Sequence, residues 1–112
     1  MSQVPQIDAG EARSHIDAGA FLLDVREDDE WDAGHCPTAT HIALSELMAR
    51  AGDVPDAGEV IVVCRVGGRS MQAVRWLRAQ GVDAYNLNGG MRAVAASGLD
   101  IVDDAGDAGK VI

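Results

Sequence analysis

The chain has 112 residues, of which 47% are hydrophobic and only 4% aromatic. This length fits one compact domain whose core rests mainly on Val, Leu, Ile and Ala. The formal net charge of −9 argues against binding to nucleic acid or to an anionic membrane surface. No apolar run approaches the roughly 20 residues that span a bilayer, and the N-terminus lacks the features of a signal peptide. We therefore expect a cytoplasmic protein without a membrane partner.

Five short segments have the composition of β-strands. The continuous apolar runs at 21–25 (FLLDV) and 60–64 (VIVVC) are typical of strands that are covered on both faces of a parallel sheet. The β-branched residues of the second run strengthen that interpretation. Weaker strand candidates occupy residues 3–7, 40–44 and 83–87.

Helices are predicted between these strands. In chain order they are 8–19, which opens on a capping-box pattern, 27–31 with its acidic first turn, a stretch after Ser45, 69–80, which a glycine follows, and 89–98. Strands that alternate with helices predict an α/β domain with a small central parallel sheet of about five strands and helices on both faces. We expect one domain over residues 1–102, followed by a flexible tail at 103–112 that is rich in Asp and Gly.

The most informative stretch is CRVGGRS at residues 64–70, where an apolar strand ends on a cysteine. In open parallel α/β sheets, ligands bind beyond the carboxyl ends of the strands. Gly67 and Gly68 allow a tight turn into the next helix, and N–H groups at a helix N-terminus favour anions and thiolates. Such surroundings typically lower the pKa of a cysteine from about 8.5 to somewhere near 3.5–7.5. We therefore predict that Cys64 is a nucleophilic thiolate that meets an anionic substrate, rather than a buried structural cysteine.

The spacing between this cysteine and the second arginine separates two chemistries. Cysteine phosphatases and arsenate reductases have five residues between these two groups, whereas four residues separate Cys64 from Arg69. The residue at the longer spacing is Ser70, which cannot bind a phosphate with two donors as an arginine does. The tighter loop favours a smaller group, such as the outer sulfur of a persulfide.

Three blocks of the sequence carry recognisable motifs. Residues 22–44 contain an Asp-Val-Arg segment, an acidic-aromatic pair and a Gly-His-x-Pro run. Residues 62–70 contain a six-residue loop that runs from Cys to Arg, and residues 77–102 contain Gly-Val, Asn-Leu and Gly-Gly-Met. In this order, and over nearly the whole chain, the blocks resemble a single-domain rhodanese, a thiosulfate sulfurtransferase-like protein. The departures from the family pattern are Cys36, Thr38 and Val94.

The resemblance implies a rhodanese-like fold and a covalent sulfur-transfer mechanism. Cys64 would attack the outer sulfur of thiosulfate or a similar anion, release sulfite and hold the sulfur as a persulfide. A thiophilic acceptor, either cyanide or a thiol, would then take that sulfur. The family's chemistry needs no metal and no organic cofactor. The substrate-binding residues implied are Arg65, Val66, Gly67, Gly68, Arg69 and Ser70.

Other functions are compatible with the same residues. The protein could be a sulfur-relay or persulfide-binding module that serves a protein acceptor and turns thiosulfate over slowly. A non-catalytic regulatory domain is disfavoured because Cys64 is intact, and a phosphatase is the least favoured reading. Arg69 either binds substrate or braces the loop by pairing with a carboxylate, and we favour the brace. Asp24 and Arg26 are expected to form a structural network beneath the site, with Glu30 and His35 as its further members.

The second cysteine raises the question of a redox role. Cys36 could be a resolving thiol for a persulfide on Cys64, but a small buried side chain is the favoured interpretation. We expect both thiols to be free rather than joined in a disulfide. The spacing of His35, Cys36 and His41 is not a recognised zinc pattern.

Overall fold

The structure, a computed structural model, describes residues 4–112, so Gln3 of the first predicted strand lies outside the described residues. The strands are β1 (Gln6–Ile7), β2 (Phe21–Asp24), β3 (Thr40–His41), β4 (Glu59–Val63) and β5 (Asp83–Leu87). They form a sheet with the order β1-β5-β4-β2-β3, in which every pairing is parallel. The predicted α/β class with a parallel sheet of about five strands is confirmed.

Helices cover the sheet on both sides. They are α1 (Ala9–Asp17), α2 (Asp28–Ala33), α3 (Gly68–Ala79) and α4 (Gly90–Ala96). One apolar cluster joins α1 and α4 to Ile61 and Val63, and a second cluster joins α3 to Val60 and Val62. Successive residues of β4 therefore point into different cores, which explains the unbroken apolar run of this strand. None of the helices in the described part of the chain is long and apolar enough to cross a membrane.

The helix expected after Ser45 is wrong. Two 3-10 turns, Leu44–Glu46 and Ala51–Asp53, stand in its place, and Ser45 lies inside the first turn rather than at a helix N-cap. Leu47 is buried, whereas Met48 is 72% exposed. An α-helix of this kind needs an apolar stripe against the core, and this segment is too poor in buried side chains to supply one.

The last ten residues lie against the end of α2. The Asp104 N–H donates to the Asp32 carbonyl at 2.9 Å, and the Lys110 N–H donates to the Ala33 carbonyl at 3.0 Å. These contacts attach residues 103–112 to the edge of the domain. The flexibility expected for this segment stays a prediction, which backbone relaxation measured by NMR would check.

Candidate active site

A left-handed glycine connects the central strand to the helix that follows it. Cys64 comes directly after β4 and is 1% exposed. Gly67 has a φ of 116° and precedes α3, which begins at Gly68. Residues with a Cβ rarely adopt this φ, so glycine at position 67 allows the chain to turn within four residues.

Hydrogen-bond donors of the turn converge on the Cys64 sulfur. The Gly67 N–H donates to Sγ at 3.1 Å, and Ser70 Oγ lies 3.3 Å from Sγ. Burial alone raises the pKa of the Cys64 thiol, but the Ser70 hydroxyl and the N–H groups of Ser70, Gly67 and Val66 outweigh it. The pKa of Cys64 is therefore lowered from its ordinary value. This environment stabilises the thiolate form of Cys64 relative to that of a cysteine without such donors.

Arg69 pairs with a carboxylate from another helix. Its two terminal nitrogens donate to the two Glu30 oxygens at 2.6 and 2.8 Å, and Glu30 Oε1 also accepts from the Glu27 N–H at 3.0 Å. The hydrogen bond from Arg69, working against burial, lowers the pKa of Glu30 to about 2. This pairing ties the first turn of α3 to α2, as a brace would, and it engages both terminal nitrogens of the guanidinium.

A buried ion pair lies beneath this brace. Arg26 and Asp24 are both 0% exposed, and Arg26 Nη2 donates to Asp24 Oδ2 at 2.8 Å. The remaining donors of Arg26 reach the carbonyls of Glu30 at 3.3 Å and Gly34 at 2.7 Å. Since every buried charge here has partners, Arg26 fixes the position of α2 and thereby of the Glu30 carboxylate. The predicted network of Asp24, Arg26 and Glu30 is present in this geometry.

The histidines of this region serve an aromatic stack. The ring of Trp31 is stacked on His35 at 3.6 Å and on His41 at 4.9 Å between centroids. His35 Nδ1 lies 2.7 Å from the Trp31 carbonyl, and His41 Nε2 lies 2.7 Å from the Arg26 carbonyl. Within residues 4–112, no three His, Cys, Asp or Glu side chains converge in the manner of a metal site.

Helix α4 holds the first residues of the loop at 64–69, which we call the active loop. The sequence analysis did not predict this contact. The Met91 N–H donates to the Cys64 carbonyl at 2.7 Å, and the Arg92 N–H donates to the Arg65 carbonyl at 3.2 Å. A Cβ on Gly90 would lie 2.5 Å from both of those carbonyl oxygens, and its φ is 61°. The Gly-Gly-Met signal in the sequence therefore marks close contact between two backbones.

Asn86 is a second residue of the site that sequence reasoning missed. It lies on β5, is 1% exposed, and accepts a short hydrogen bond from Ser70 Oγ through Oδ1. Its Nδ2 donates to Gln6 Oε1 at 3.1 Å. A polar residue at an inward position of a predicted strand was the available signal.

Arg65 and Val66 form the exposed part of the loop. Val66 is 54% exposed, and Arg65 is also exposed. Arg65 Nε donates to the carbonyl oxygen of Ile112 at 2.8 Å. Arg65 and Val66 therefore lie at the solvent-exposed rim of the loop.

Cys36 and Cys64 lie in different apolar clusters. Both thiols are free, and Cys36 belongs to the apolar cluster of α1 and α4, whereas Cys64 belongs to the cluster of α3. The sheet therefore separates the two sulfurs. Burial, together with the charge of Asp24, raises the pKa of Cys36 to about 11. The pKa of Cys36 is thus raised, whereas that of Cys64 is lowered.

Comparison with known proteins places the chain in a family. Residues 8–97 match the model of the Rhodanese-like domain. Bacillus subtilis "Putative sulfurtransferase YtwF" is 32% identical over 81% of this chain and 90% of its own length. A "Sulfurtransferase" of Allochromatium vinosum is 36% identical over 77% of this chain and 81% of its own length. The crystal structure of a rhodanese-related protein from Thermoplasma volcanium superposes with a TM-score of 0.82 at 28% identity, over 88% of this chain and 97% of that one. The chain belongs to the Rhodanese-like domain family.

Proposed function

We propose that the protein is a sulfurtransferase that carries sulfur on Cys64. The thiolate attacks the outer sulfur of thiosulfate, forming the Cys64 S–S bond as the S–S bond of thiosulfate breaks and sulfite leaves with the electron pair. A thiophilic acceptor then attacks the outer persulfide sulfur, so that cyanide becomes thiocyanate and the Cys64 thiolate returns. The reaction needs no external oxidant, reductant or cofactor.

The observation that supports this proposal best is the set of donors around Sγ. The N–H of Gly67 at 3.1 Å and the hydroxyl of Ser70 at 3.3 Å favour a negative charge on the sulfur. A persulfide anion needs the same stabilisation one atom further out, and donors fixed by a tight turn need little rearrangement to supply it.

The remaining loop residues would bind the anionic donor. Arg65 is exposed beside the nucleophile and supplies positive charge on a chain whose net charge is −9. Val66, Gly67, Gly68 and Ser70 would line the path of the sulfur with their backbones. Arg69 acts as a brace in this proposal, because Glu30 already takes both of its terminal nitrogens.

Intact mass spectrometry after treatment with thiosulfate tests the proposal directly. The native chain is expected to gain one sulfur atom, which cyanide or dithiothreitol removes. Cys64→Ser should gain none, whereas Cys36→Ser, the matched control, should load normally. Loading of Cys64→Ser, or no loading of the native chain by any sulfane donor, would refute Cys64 as the sulfur carrier.

Steady-state assays separate a thiosulfate enzyme from a relay that serves a protein acceptor. If thiosulfate is the working donor, thiocyanate forms at a useful rate from thiosulfate and cyanide, and Arg65→Ala raises the KM for thiosulfate several-fold. Arg75→Ala is the control, because Arg75 is an exposed arginine further along α3. Rapid loading with slow thiocyanate formation, and fast transfer to a dithiol or protein thiol, would instead favour the relay.

A thiol nucleophile is best suited to a reducing compartment, and we propose the cytoplasm as the location of the protein.

A further inference from the structure

A polar row interrupts the apolar face of the sheet directly under the active loop. Asn86 on β5 is in register with Gln6 on β1 and with Val62 on β4. Residues in register on parallel strands face the same side, and Val62 shares its side with Cys64 and α3. At 1% exposure, the Asn86 carboxamide needs partners inside the protein, and it finds them in Ser70 and Gln6.

The hydroxyl of Ser70 has more acceptors than it can serve. Its oxygen lies 3.3 Å from Cys64 Sγ and 3.2 Å from the Gly67 carbonyl oxygen, and it makes a short contact with Asn86 Oδ1. A serine carries one hydroxyl proton, so only one of these acceptors receives it at a time. When Ser70 O–H donates its hydrogen bond to Asn86 Oδ1, the Cys64 sulfur loses the Ser70 hydroxyl as a side-chain donor.

The amide of Asn86 is the group that can reverse this arrangement. Its Oδ1 now faces Ser70, while Nδ2 donates to Gln6 Oε1. A half-turn of the carboxamide would point Nδ2–H at Ser70 Oγ. The hydroxyl oxygen would then accept a hydrogen bond from Asn86, and its O–H could donate to another acceptor. Gln6 is exposed and is therefore free to turn its own amide in step.

We propose that Asn86 is a positioning residue that directs the Ser70 hydroxyl toward or away from Cys64. In the thiol state, S–H donates to Ser70 Oγ, and Ser70 O–H donates to Asn86 Oδ1. When the thiol proton leaves to water, the Asn86 amide turns, Nδ2–H donates to Ser70 Oγ, and Ser70 O–H donates to the thiolate. The proposal rests on the nucleophilic role of Cys64 in the proposed function, but it is independent of the sulfur donor.

The charged groups near the Cys64 sulfur are the same in both orientations of the Asn86 amide. On α3 the nearest is Arg69, which interacts with the charge of Cys64 and is paired with Glu30 of α2. On the loop it is Arg65, which contacts the carbonyl of Ile112. Substitution of Asn86 removes none of these contacts. A change in the pKa of Cys64 after Asn86→Leu therefore reports the chain of hydrogen bonds, whereas Asn86→Asp also adds a charge near the sulfur.

The test is the pH profile of Cys64 alkylation by iodoacetamide in a Cys36→Ser background. Asn86→Asp is an isosteric acceptor that cannot donate when ionised, so it should hold the Ser70 proton and raise the pKa of Cys64 by about 1–2 units. Asn86→Leu, which neither donates nor accepts, should raise it by less. Asn88→Asp adds the same charge at an exposed position two residues away and controls for simple repulsion.

The same substitutions in a Ser70→Ala background test whether Asn86 acts on Cys64 through the Ser70 hydroxyl. The shifts caused by Asn86→Asp and Asn86→Leu should each fall to less than half there, because the intermediary is gone. Either variant alone is sufficient if the other does not fold, as judged by its melting transition. Undiminished shifts, a Leu shift as large as the Asp shift, or no shift at all would overturn the proposal. Since alkylation needs no sulfur donor, a failure of the proposed sulfur transfer would appear separately, as an absence of loading on a Cys64 with normal pKa behaviour.

Discussion

The ion pair between Glu30 and Arg69 should stabilise the folded protein by an amount that depends on pH. Glu30→Gln keeps the size of the side chain and removes its charge. The Glu30 side chain is 13% exposed and accepts from both terminal nitrogens of Arg69. We expect the substitution to weaken the attachment of α3 to α2, and to do so only where Glu30 is ionised in the native chain.

The magnitude follows from the lowered pKa. A fall from 4.5 to about 2 corresponds to about 3 kcal/mol in favour of the ionised form. The Arg69 side chain is 34% exposed, so solvent screens part of this, and we expect a loss of about 1–2 kcal/mol at pH 7. Because the native pKa is below the unfolded one, the contribution is present above the unfolded pKa of 4.5 and is lost as the pH falls toward 2.

Urea denaturation at pH 7 and at pH 3 measures this prediction. The difference in unfolding free energy between the native chain and Glu30→Gln should fall by at least half at pH 3. Asp32→Asn is the control, because Asp32 is an exposed carboxylate on the same helix and should have little effect at either pH. An equal loss at both pH values, or a loss at pH 7 no larger than that of the control, would refute the assigned role of Glu30.

Two further predictions concern the backbone around the loop and the second thiol. Gly90→Ala should lower the unfolding free energy by at least about 2 kcal/mol and abolish sulfur loading, since its Cβ would lie 2.5 Å from the Cys64 and Arg65 carbonyl oxygens. Gly98→Ala shares a positive φ but has no atom within 4 Å, so it should show only the strain of roughly 1–2 kcal/mol; equal losses would contradict the importance of the contact. Because the pKa of Cys36 is about 11, only about one Cys36 in a thousand is a thiolate at pH 8. Peptide mapping should therefore find Cys64 alkylated first, and comparable rates for the two thiols would disprove this assignment.

The sequence predicts the parts of the site that are local in the chain. An unbroken apolar run, a cysteine at its end, two glycines and a following helix lie within about twenty residues, and each signal has a direct physical meaning. The same holds for Asp24 and Arg26, which are two residues apart and form the buried pair. The pairing of Arg69 with a carboxylate was predicted as a type of contact, with Glu30 named only as a member of the neighbouring network.

Contacts between segments that are far apart in the chain could not be predicted from the sequence. Asn86 and Gly90 act on the loop because β5 lies beside β4 and because α4 starts where the loop begins. Those facts depend on strand order and register, which composition and periodicity do not determine. The wrong prediction of a helix after Ser45 has a different cause, because a serine before a polar stretch fits a turn as well as an N-cap.

The arrangement explains how a chain with a net charge of −9 can stabilise a thiolate. The nearest cation on α3, Arg69, is neutralised by Glu30, so the negative sulfur depends mainly on neutral donors, the N–H groups of the turn and the Ser70 hydroxyl. Such dipoles act at contact distance and are fixed by the fold, so they need no local excess of positive charge. Their strength depends on the direction in which each one points. In the proposed mechanism, the groups that orient these dipoles are therefore as important as the donors themselves. They are the brace from Glu30, the backbone contact at Gly90 and the amide of Asn86.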